Sequence, residues 1–298
     1  MGIPNSQLET WSHQGAIVGS SDTYQSIKAT LEAPGTPYAA KNYKVFLQGS
    51  YGNDTNIYAE SDVDIVIQLD DCFQHDKSEL PSDQAEAWTK AHKDATYTHV
   101  EFKRDVLKVL TDAYGDDVVA GDKAIAIAAR GKRRKADVIV AILYRRYIKF
   151  LSVSDQQFIE GMCFYNGSNQ IVANYPKMHS ANLTTKHQAT NRWLKPMIRV
   201  FKNARSELVE LDLIEAKQAP SYFVEGLLYN VPAEKFGESY EDSFVNAFNW
   251  LRSEAVRDDL VTANGQYYLI RDGFHNCWPK ANVQAYLDGL AKMWNEWK

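Results

Sequence analysis

The chain has 298 residues, of which 45% are hydrophobic and 24% are charged, values typical of a folded globular protein. Its formal net charge of −5 argues against a sequence-independent binder of duplex nucleic acid, because such proteins need a broad basic surface to neutralise phosphates. Three widely spaced cysteines without metal-ligand spacing, and no uncharged apolar run of membrane-spanning length, predict a cytoplasmic protein with reduced thiols and no membrane segment.

The first half of the chain is predicted to mix helices and strands. In chain order, the hydrophobic pattern predicts a helix at 20–31, strands at 43–47 and 63–69, helices at 84–95 and 100–113, and strands at 124–129 and 138–143. The charged run 130–135 joins the last two strands, and we interpret it as a hairpin tip rather than as a nucleic-acid contact. The polar segments 69–86 and 166–188 are interpreted as loops or ordered connections.

The second half is predicted to be mainly helical. Apolar residues recur every three or four positions at 193–213, 222–229, 243–260 and 283–297. Pro220 and Pro232 flank the second of these segments, as start and stop signals should. We therefore predict an α+β fold with a sheet-containing domain at 1–175, which includes an N-terminal helix, and a helical cap at 176–298. The cleft between them is the expected ligand site.

A glycine turn and an acidic pair carry the most specific chemical signal. Gly49 lets the backbone turn tightly and approach a ligand, and Ser50 can donate its hydroxyl and its amide to phosphate oxygens. Asp62 and Asp64 lie two residues apart at the start of a strand, so both project from one face. Two such carboxylates repel each other unless a cation lies between them. This pattern predicts a phosphate-binding turn beside a magnesium site.

A third carboxylate completes the predicted metal site. Asp137 opens the strand at 138–143 and reaches the acidic pair if that strand neighbours the one that carries Asp64. Two Mg²⁺ ions about 4 Å apart would then clamp the attacking hydroxyl and the leaving diphosphate. No Gly-Lys-Ser or Gly-Lys-Thr follows the glycine turn, so the Walker A type of phosphate loop is excluded.

The glycine turn, the acidic pair and Asp137 together resemble the signature of the DNA-polymerase-β-like nucleotidyltransferases. Three further segments resemble a narrower family, the bacterial cyclic GMP-AMP synthase-like (CD-NTase) enzymes: 6–12, 194–202 and 220–232. The resemblance extends over nearly the whole chain. It implies a polymerase-β-like nucleotidyltransferase core, formed by a mixed twisted sheet with helices, and a C-terminal helical cap with the active site in the cleft.

The resemblance also implies substrate-binding residues. They are Gln48, Gly49 and Ser50 at the triphosphate turn, Lys202 and Ser221 on the donor triphosphate, and Tyr222 stacked on a base. The implied cofactor is a pair of Mg²⁺ ions, for which Mn²⁺ can substitute, and the implied substrates are ATP, GTP, UTP or CTP. The expected product is a cyclic dinucleotide rather than a trinucleotide. It would activate an effector protein in antiphage (CBASS-type) signalling.

The resemblance does not extend to a zinc-binding insertion, since the sequence has no Cys/His cluster at ligand spacing. We therefore expect that duplex DNA does not activate the protein. Separately, we expect the protein to be a monomer. Two other functions use the same residues: a nucleotidyltransferase that modifies a drug, a tRNA or a protein, and a silent nucleotide-binding regulatory module. The choice of bases, the linkage and the ring size stay open.

Some polar residues have an ordinary structural interpretation beside a functional one. Ser221 can serve as the N-cap of its helix, and Asn191 can do the same just before the next helical segment. The amides of Asn166 and Asn191 are also able to read a base edge. His179 and His187 can contact a nucleotide, but isolated histidines are more often solvated or structural. We do not assign these two histidines and two asparagines to the site.

Overall fold

The computed structural model describes residues 2–15, 18–58, 62–254, 259–274 and 276–297. Its helices, in chain order, are α1 (Asn5–Ser12), α2 (Val18–Leu31), α3 (Gly49–Gly52), α4 (Ser82–Ala91), α5 (His99–Tyr114), α6 (Pro176–Ala189), α7 (Leu194–Glu210), α8 (Ser221–Asn230), α9 (Tyr240–Glu254) and α10 (Lys280–Glu296). Its strands are β1 (Tyr43–Leu47), β2 (Val63–Asp76), β3 (Val118–Ala120), β4 (Ile125–Ile127), β5 (Ala136–Ser152), β6 (Asp155–Tyr165) and β7 (Ile171–Asn174). Across the described ranges, no helix has both the length and the apolar composition needed to cross a bilayer.

The strands form a mixed sheet in the order β1-β2-β5-β4-β3, and β6 and β7 continue it from β5. Strand β5 pairs with β4 near its start and with β6 further along the chain. Strands β2 and β5 run parallel to each other, while β1 pairs with β2 in the antiparallel direction. The predicted hairpin between the strands at 124–129 and 138–143 is confirmed, and so is the expected neighbourhood of β2 and β5.

The sheet is more extensive than the sequence predicts. The predicted strands end at Leu69 and Leu143, whereas β2 continues to Asp76 and β5 to Ser152. Strand β6 is absent from the prediction. These extensions place polar residues opposite each other across the strands, such as Arg145 opposite Glu160, and cross-strand neighbours of this kind belong to a sheet without adding an apolar signal to the sequence. The interpretation of 69–86 and 166–188 as loops or ordered connections is wrong for much of both segments, because the end of β2 and the start of α4 lie in the first, and β7 and α6 lie in the second.

The predicted helices are confirmed, with shifted ends. Helices α2, α5, α7, α8 and α10 begin and end within about three residues of the predicted bounds. Helix α4 ends at Ala91 rather than at residue 95, because His92 adopts an extended backbone. Helix α9 covers the start of the segment predicted at 243–260, of which residues 255–258 lie outside the described residues.

The chain divides into two compact units, each built from separate segments. The sheet unit comprises Val18–Gln48 and Asp62–Pro176, and the helical unit comprises Met1–Ile17, Gly49–Ser61 and Lys177–Lys298. This division differs from the predicted one in two segments, since 1–17 and 49–61 group with the helices. The first joins them because Leu8 and Trp11 of α1 lie in the helical core, beside residues of α7 such as Ile198 and Phe201.

Helices α2 and α5 pack against the sheet in the sheet unit. Val63, Ile65 and Ile67 of β2 are fully buried, and so are Phe102 and Val106 of α5. Thr98 and Glu101 form a capping box that fixes the start of α5. The opposite face carries the acidic residues at the strand starts and, further along the strands, a small apolar cluster that includes Val66.

Candidate active site

Strands β2 and β5 place two of the predicted metal ligands side by side. Asp64 and Asp137 are register partners on these parallel strands, so their side chains leave the same face of the sheet. The pairing of β2 and β5 extends to the starts of both strands, because the N–H of Val63 donates to the carbonyl of Lys135 at 3.0 Å. The alternation of side chains therefore puts Asp62 on the face of Asp64 and Asp137, opposite to the buried Val63.

A lysine ammonium lies among these carboxylates. The Nζ of Lys135 contacts Oδ2 of Asp62, and the two side chains are 49% and 43% exposed. The pKa of Lys135 is raised by its hydrogen bond to Asp62 and, against the effect of burial, by the charges of Asp137, Asp62 and Asp64. The pKa of Asp137 is also raised, first by burial and further by the charge of Asp62. The negative charges of the three carboxylates therefore act on the same region, and the ammonium of Lys135 already lies in that region.

The chemistry of this donor set fits a hard divalent cation, because Mg²⁺ prefers carboxylate oxygens. Among the residues that the structure describes, however, no three His, Cys, Asp or Glu side chains converge closely enough to hold a metal ion. Asp62 pairs with Lys135 instead. A cation that bound all three carboxylates would have to take the place of the Lys135 ammonium at Asp62. The assignment of Asp62, Asp64 and Asp137 as metal ligands therefore stays a prediction.

The glycine turn follows β1. The N–H of Gln48 donates to the carbonyl of Asp64 at 3.0 Å, and its side-chain Oε1 is buried with no hydrogen-bond partner in the described part of the chain. Gly49 has a φ of +65°, in the left-handed region that favours glycine. The carbonyl of Ser50 accepts a hydrogen bond from the N–H of Thr55 at 2.9 Å, which closes the turn.

Lys202 lies in the interior of the helical unit. Its side chain is fully buried, and Nζ donates to the carbonyl of Thr55 at 3.0 Å. The ammonium therefore contacts the backbone of the segment that follows Ser50. Its contact with a triphosphate stays a prediction.

Ser221 and Tyr222 begin α8. The N-cap of this helix is Pro220, and no side chain caps it, so the interpretation of Ser221 as the N-cap is wrong. The ring of Tyr222 lies 4.6 Å from the His179 ring and 5.8 Å from the Trp278 ring, measured between centroids. Its hydroxyl accepts a hydrogen bond from Nδ2 of Asn264 at 2.7 Å. Burial raises the pKa of Tyr222, so this residue is a neutral phenol in an aromatic stack.

The sequence analysis missed a buried carboxylate in the helical unit. Glu225 is 2% exposed and accepts hydrogen bonds from Nδ2 of Asn53 at 3.1 Å, from Nε2 of His179 at 2.6 Å and from the hydroxyl of Thr55. Its pKa is lowered: burial opposes ionisation, but the hydrogen bond and charge of His179 and the charge of Lys202 outweigh it. One signal was available, since Glu225 stands among apolar residues within α8.

The remaining polar residues have structural roles. The Nδ1 of His187 accepts a hydrogen bond from the N–H of Lys195 at 3.3 Å, and burial together with nearby cations lowers its pKa to about 4. Oδ1 of Asn166 accepts the N–H groups of Ser168 and Gln170 in a turn. Asn191 has a φ of +49° before α7, a conformation that asparagine tolerates better than most residues.

Comparison with known proteins identifies relatives of the whole chain. Residues 181–295 match the cGAS/DncV-like nucleotidyltransferase C-terminal helical domain. The chain is 40% identical to a cyclic UMP-AMP synthase from Rhodothermus marinus, over all of this chain and 99% of that protein. It is 34% identical to the cyclic nucleotide synthase CdnE01 from Staphylococcus haemolyticus, with both chains fully covered.

Solved structures of related proteins have the same fold as this chain. The solved structure of the Rhodothermus marinus CdnE c-UMP-AMP synthase with Apcpp and Upnpp superposes with a TM-score of 0.88, covering 99% of this chain and 97% of that chain. The CdnE cyclic dinucleotide synthase from Elizabethkingia meningoseptica, solved with GTP and Apcpp, superposes with a TM-score of 0.77 at 26% identity and covers 98% of each chain. These matches confirm the predicted core and cap architecture.

Proposed function

The chain belongs to the CD-NTase family of cGAS/DncV-like nucleotidyltransferases, and on this premise we propose that it joins two nucleoside triphosphates into a cyclic dinucleotide in a Mg²⁺-dependent reaction. The observation that carries the proposal is the register of Asp64 and Asp137 on parallel strands, with Asp62 on the same face. Mn²⁺ is expected to substitute for Mg²⁺, since both accept the same oxygen ligands.

The residues divide between the metal and the donor nucleotide. Asp62, Asp64 and Asp137 hold the metal ions. Five of the predicted residues bind the donor triphosphate, and the sixth stacks on its base. The five are Gln48, Gly49, Ser50, Lys202 and Ser221, and the sixth is Tyr222. Hydroxyl, amide and ammonium groups can donate hydrogen bonds to phosphate oxygens. The buried Oε1 of Gln48 has no hydrogen-bond partner among the described residues, so it can accept a hydrogen bond from an N–H or O–H group of a ligand.

The chemical step is an in-line displacement at the α-phosphate. Bound Mg²⁺ would stabilise the charge on the phosphates and lower the pKa of the attacking hydroxyl. Asp137 accepts the proton of the acceptor's ribose hydroxyl, as a carboxylate positioned beside that hydroxyl can. The hydroxyl oxygen bonds to the α-phosphorus, the bond to the β-phosphate breaks, and diphosphate leaves. A second transfer closes the ring.

The relatives suggest which nucleotides to test first. The Rhodothermus marinus relative is named a cyclic UMP-AMP synthase, and its solved structure contains analogues of ATP and UTP. We therefore propose UTP and ATP as substrates of this chain. As in the sequence-based expectation, the product would act as a second messenger that activates an effector protein in antiphage defence.

The test is to incubate the purified protein with all four triphosphates, each carrying an isotope label on the α-phosphate in a separate reaction. Reactions with Mg²⁺, with Mn²⁺ and with EDTA are compared, and products are identified by mass spectrometry. We expect a cyclic dinucleotide that contains UMP and AMP in the metal reactions and no product in EDTA. Product of a different composition overturns the assignment of UTP and ATP.

Matched variants test the site. Asp62→Asn and Asp64→Asn are expected to abolish product, whereas Asp112→Asn is expected to leave its rate unchanged, because Asp112 is an exposed carboxylate on α5 paired with Lys108. Triphosphates that stay intact in every metal condition contradict the proposed function. Diphosphate release that requires an added drug, tRNA or protein supports the alternative acceptor, and tight triphosphate binding without turnover supports the silent module.

A further inference from the structure

Glu225 is a buried ionised group to which the mechanism above gives no role. Glu225, Asn53, Thr55 and His179, with Lys202 beside them, form what we call the Glu225 cluster, and all five residues belong to the helical unit. An ionised carboxylate taken out of water costs several kcal/mol unless its partners compensate. Apolar residues of similar volume often stabilise a core as well as such a cluster does. Its presence therefore suggests a role beyond stability.

The cluster is bonded to the phosphate-binding turn through Thr55. The N–H of Thr55 donates to the carbonyl of Ser50 at 2.9 Å, and its carbonyl accepts Nζ of Lys202 at 3.0 Å. The third polar group of Thr55, its hydroxyl, donates to Glu225. Thr55 is fully buried, so every polar group it has is committed to fixing the turn. A displacement of Thr55 would consequently displace Ser50.

The neighbouring residue shows that this turn needs support. Asp54 has a φ of +58°, a left-handed conformation that is uncommon for residues other than glycine. Two side chains of α7 hold it: Nζ of Lys195 lies 2.9 Å from Oδ2 of Asp54, and Arg199 donates to its carbonyl. These contacts fix the backbone of Asp54 beside Thr55.

We propose that Glu225 is a positioning residue for the phosphate-binding turn: through Thr55 it fixes Ser50 in the helical unit, so that the donor triphosphate binds in one geometry. The inference rests on the proposed function in one respect, namely that Ser50 contacts the donor triphosphate. Glu225 touches no substrate in this role and transfers no proton. It acts by setting the place of a backbone segment, and misplacement by about 1 Å can reduce a rate about 10²-fold.

The test uses substitutions of Thr55, because replacing Glu225 itself risks unfolding the helical unit. Thr55→Val keeps the shape and removes the hydroxyl that bonds to Glu225, and Thr55→Ser keeps the hydroxyl. Ser243→Ala is the matched control, since it removes another fully buried hydroxyl of the helical unit, one that donates to the carbonyl of Gly237 at 2.8 Å. For each protein we would measure the melting temperature, kcat and KM for ATP with UTP, and the Kd of a non-hydrolysable ATP analogue by calorimetry.

A positioning role predicts that Thr55→Val raises KM and the analogue Kd by about tenfold or more, as the loss of one charge-assisted hydrogen bond implies. Thr55→Ser should restore both constants to within about threefold of the unsubstituted protein, and Ser243→Ala should leave them unchanged. Equal constants for Thr55→Val and the unsubstituted protein overturn the proposal. Equal losses of affinity in Thr55→Val and Ser243→Ala at equal melting temperature also overturn it, because they indicate general destabilisation.

Different experimental results would overturn the proposed function and the positioning role of Glu225. If the unsubstituted protein binds the analogue but forms no product, the proposed function fails, while the Kd series still decides the positioning role. If the unsubstituted protein forms product and Thr55→Val does not weaken analogue binding, only the positioning role fails. If the unsubstituted protein binds no triphosphate, both are overturned.

Discussion

Replacing Glu225 with glutamine should cost the helical unit a large part of its stability. The substitution keeps the shape of the side chain, but three donors converge on the carboxylate, from Asn53, Thr55 and His179. A glutamine amide has one acceptor oxygen, so its NH₂ group must face at least one of those donors. The fully buried ammonium of Lys202 also loses the negative charge that interacts with it.

The expected loss is about 3–5 kcal/mol, the usual cost of removing one partner from a buried charged group. For a unit of this size that corresponds to a fall in melting temperature of roughly 6–20 °C. Calorimetry and urea denaturation measure it, with Glu210→Gln as the control, because Glu210 is exposed at the end of α7. A loss smaller than about 1 kcal/mol would refute the view that Glu225 is ionised and fully committed in the fold.

Lowering the pH also tests, without a mutation, whether the ionised Glu225 stabilises the fold. The pKa of Glu225 is lowered in the folded chain, so its contribution to stability is complete above its ordinary value of 4.5 and is lost as the pH falls below that value. The stability of the unsubstituted protein should therefore fall more steeply with acid than that of Glu225→Gln. Parallel curves below pH 4.5 would contradict the assignment.

Three further substitutions give independent tests. Because the pKa of His187 is lowered to about 4, the unfolded chain binds a proton between pH 6.5 and 4 that the folded chain does not. The free energy of unfolding, measured by urea denaturation, should therefore fall as the pH falls from 6.5 to 4. In His187→Gln the free energy of unfolding should depend less on pH across this range. Lys135→Met should lower the melting temperature without metal and increase the rise produced by Mg²⁺, since Asp62 loses its ammonium partner; an unchanged rise would show that Lys135 does not compete with the metal. Asp137→Asn should abolish product yet keep or raise the melting temperature, because burial and the charge of Asp62 disfavour the ionised Asp137, and a marked destabilisation would show that Asp137 is a structural residue.

Local patterns in the sequence were sufficient to predict most of the helices and the placement of Asp62 and Asp64 on one face. The reason is that helical periodicity and strand alternation depend only on neighbouring residues. The same patterns failed where pairing with a strand far along the chain stabilises a polar segment, as in the extension of β2 that pairs with β5. They also failed for α6, whose residues show little amphipathic pattern.

The tertiary structure decided what is brought together around the predicted site residues. Asp137 meets Asp64 because β2 and β5 pair in parallel across more than seventy intervening residues, and only that register shows that the two carboxylates share a face. The turn at Ser50 depends on Glu225, about 170 residues further along the chain, and no local pattern connects them. A sequence specifies which side chains have suitable chemistry, whereas distance, burial and the partner of each charge depend on contacts between segments far apart in the chain.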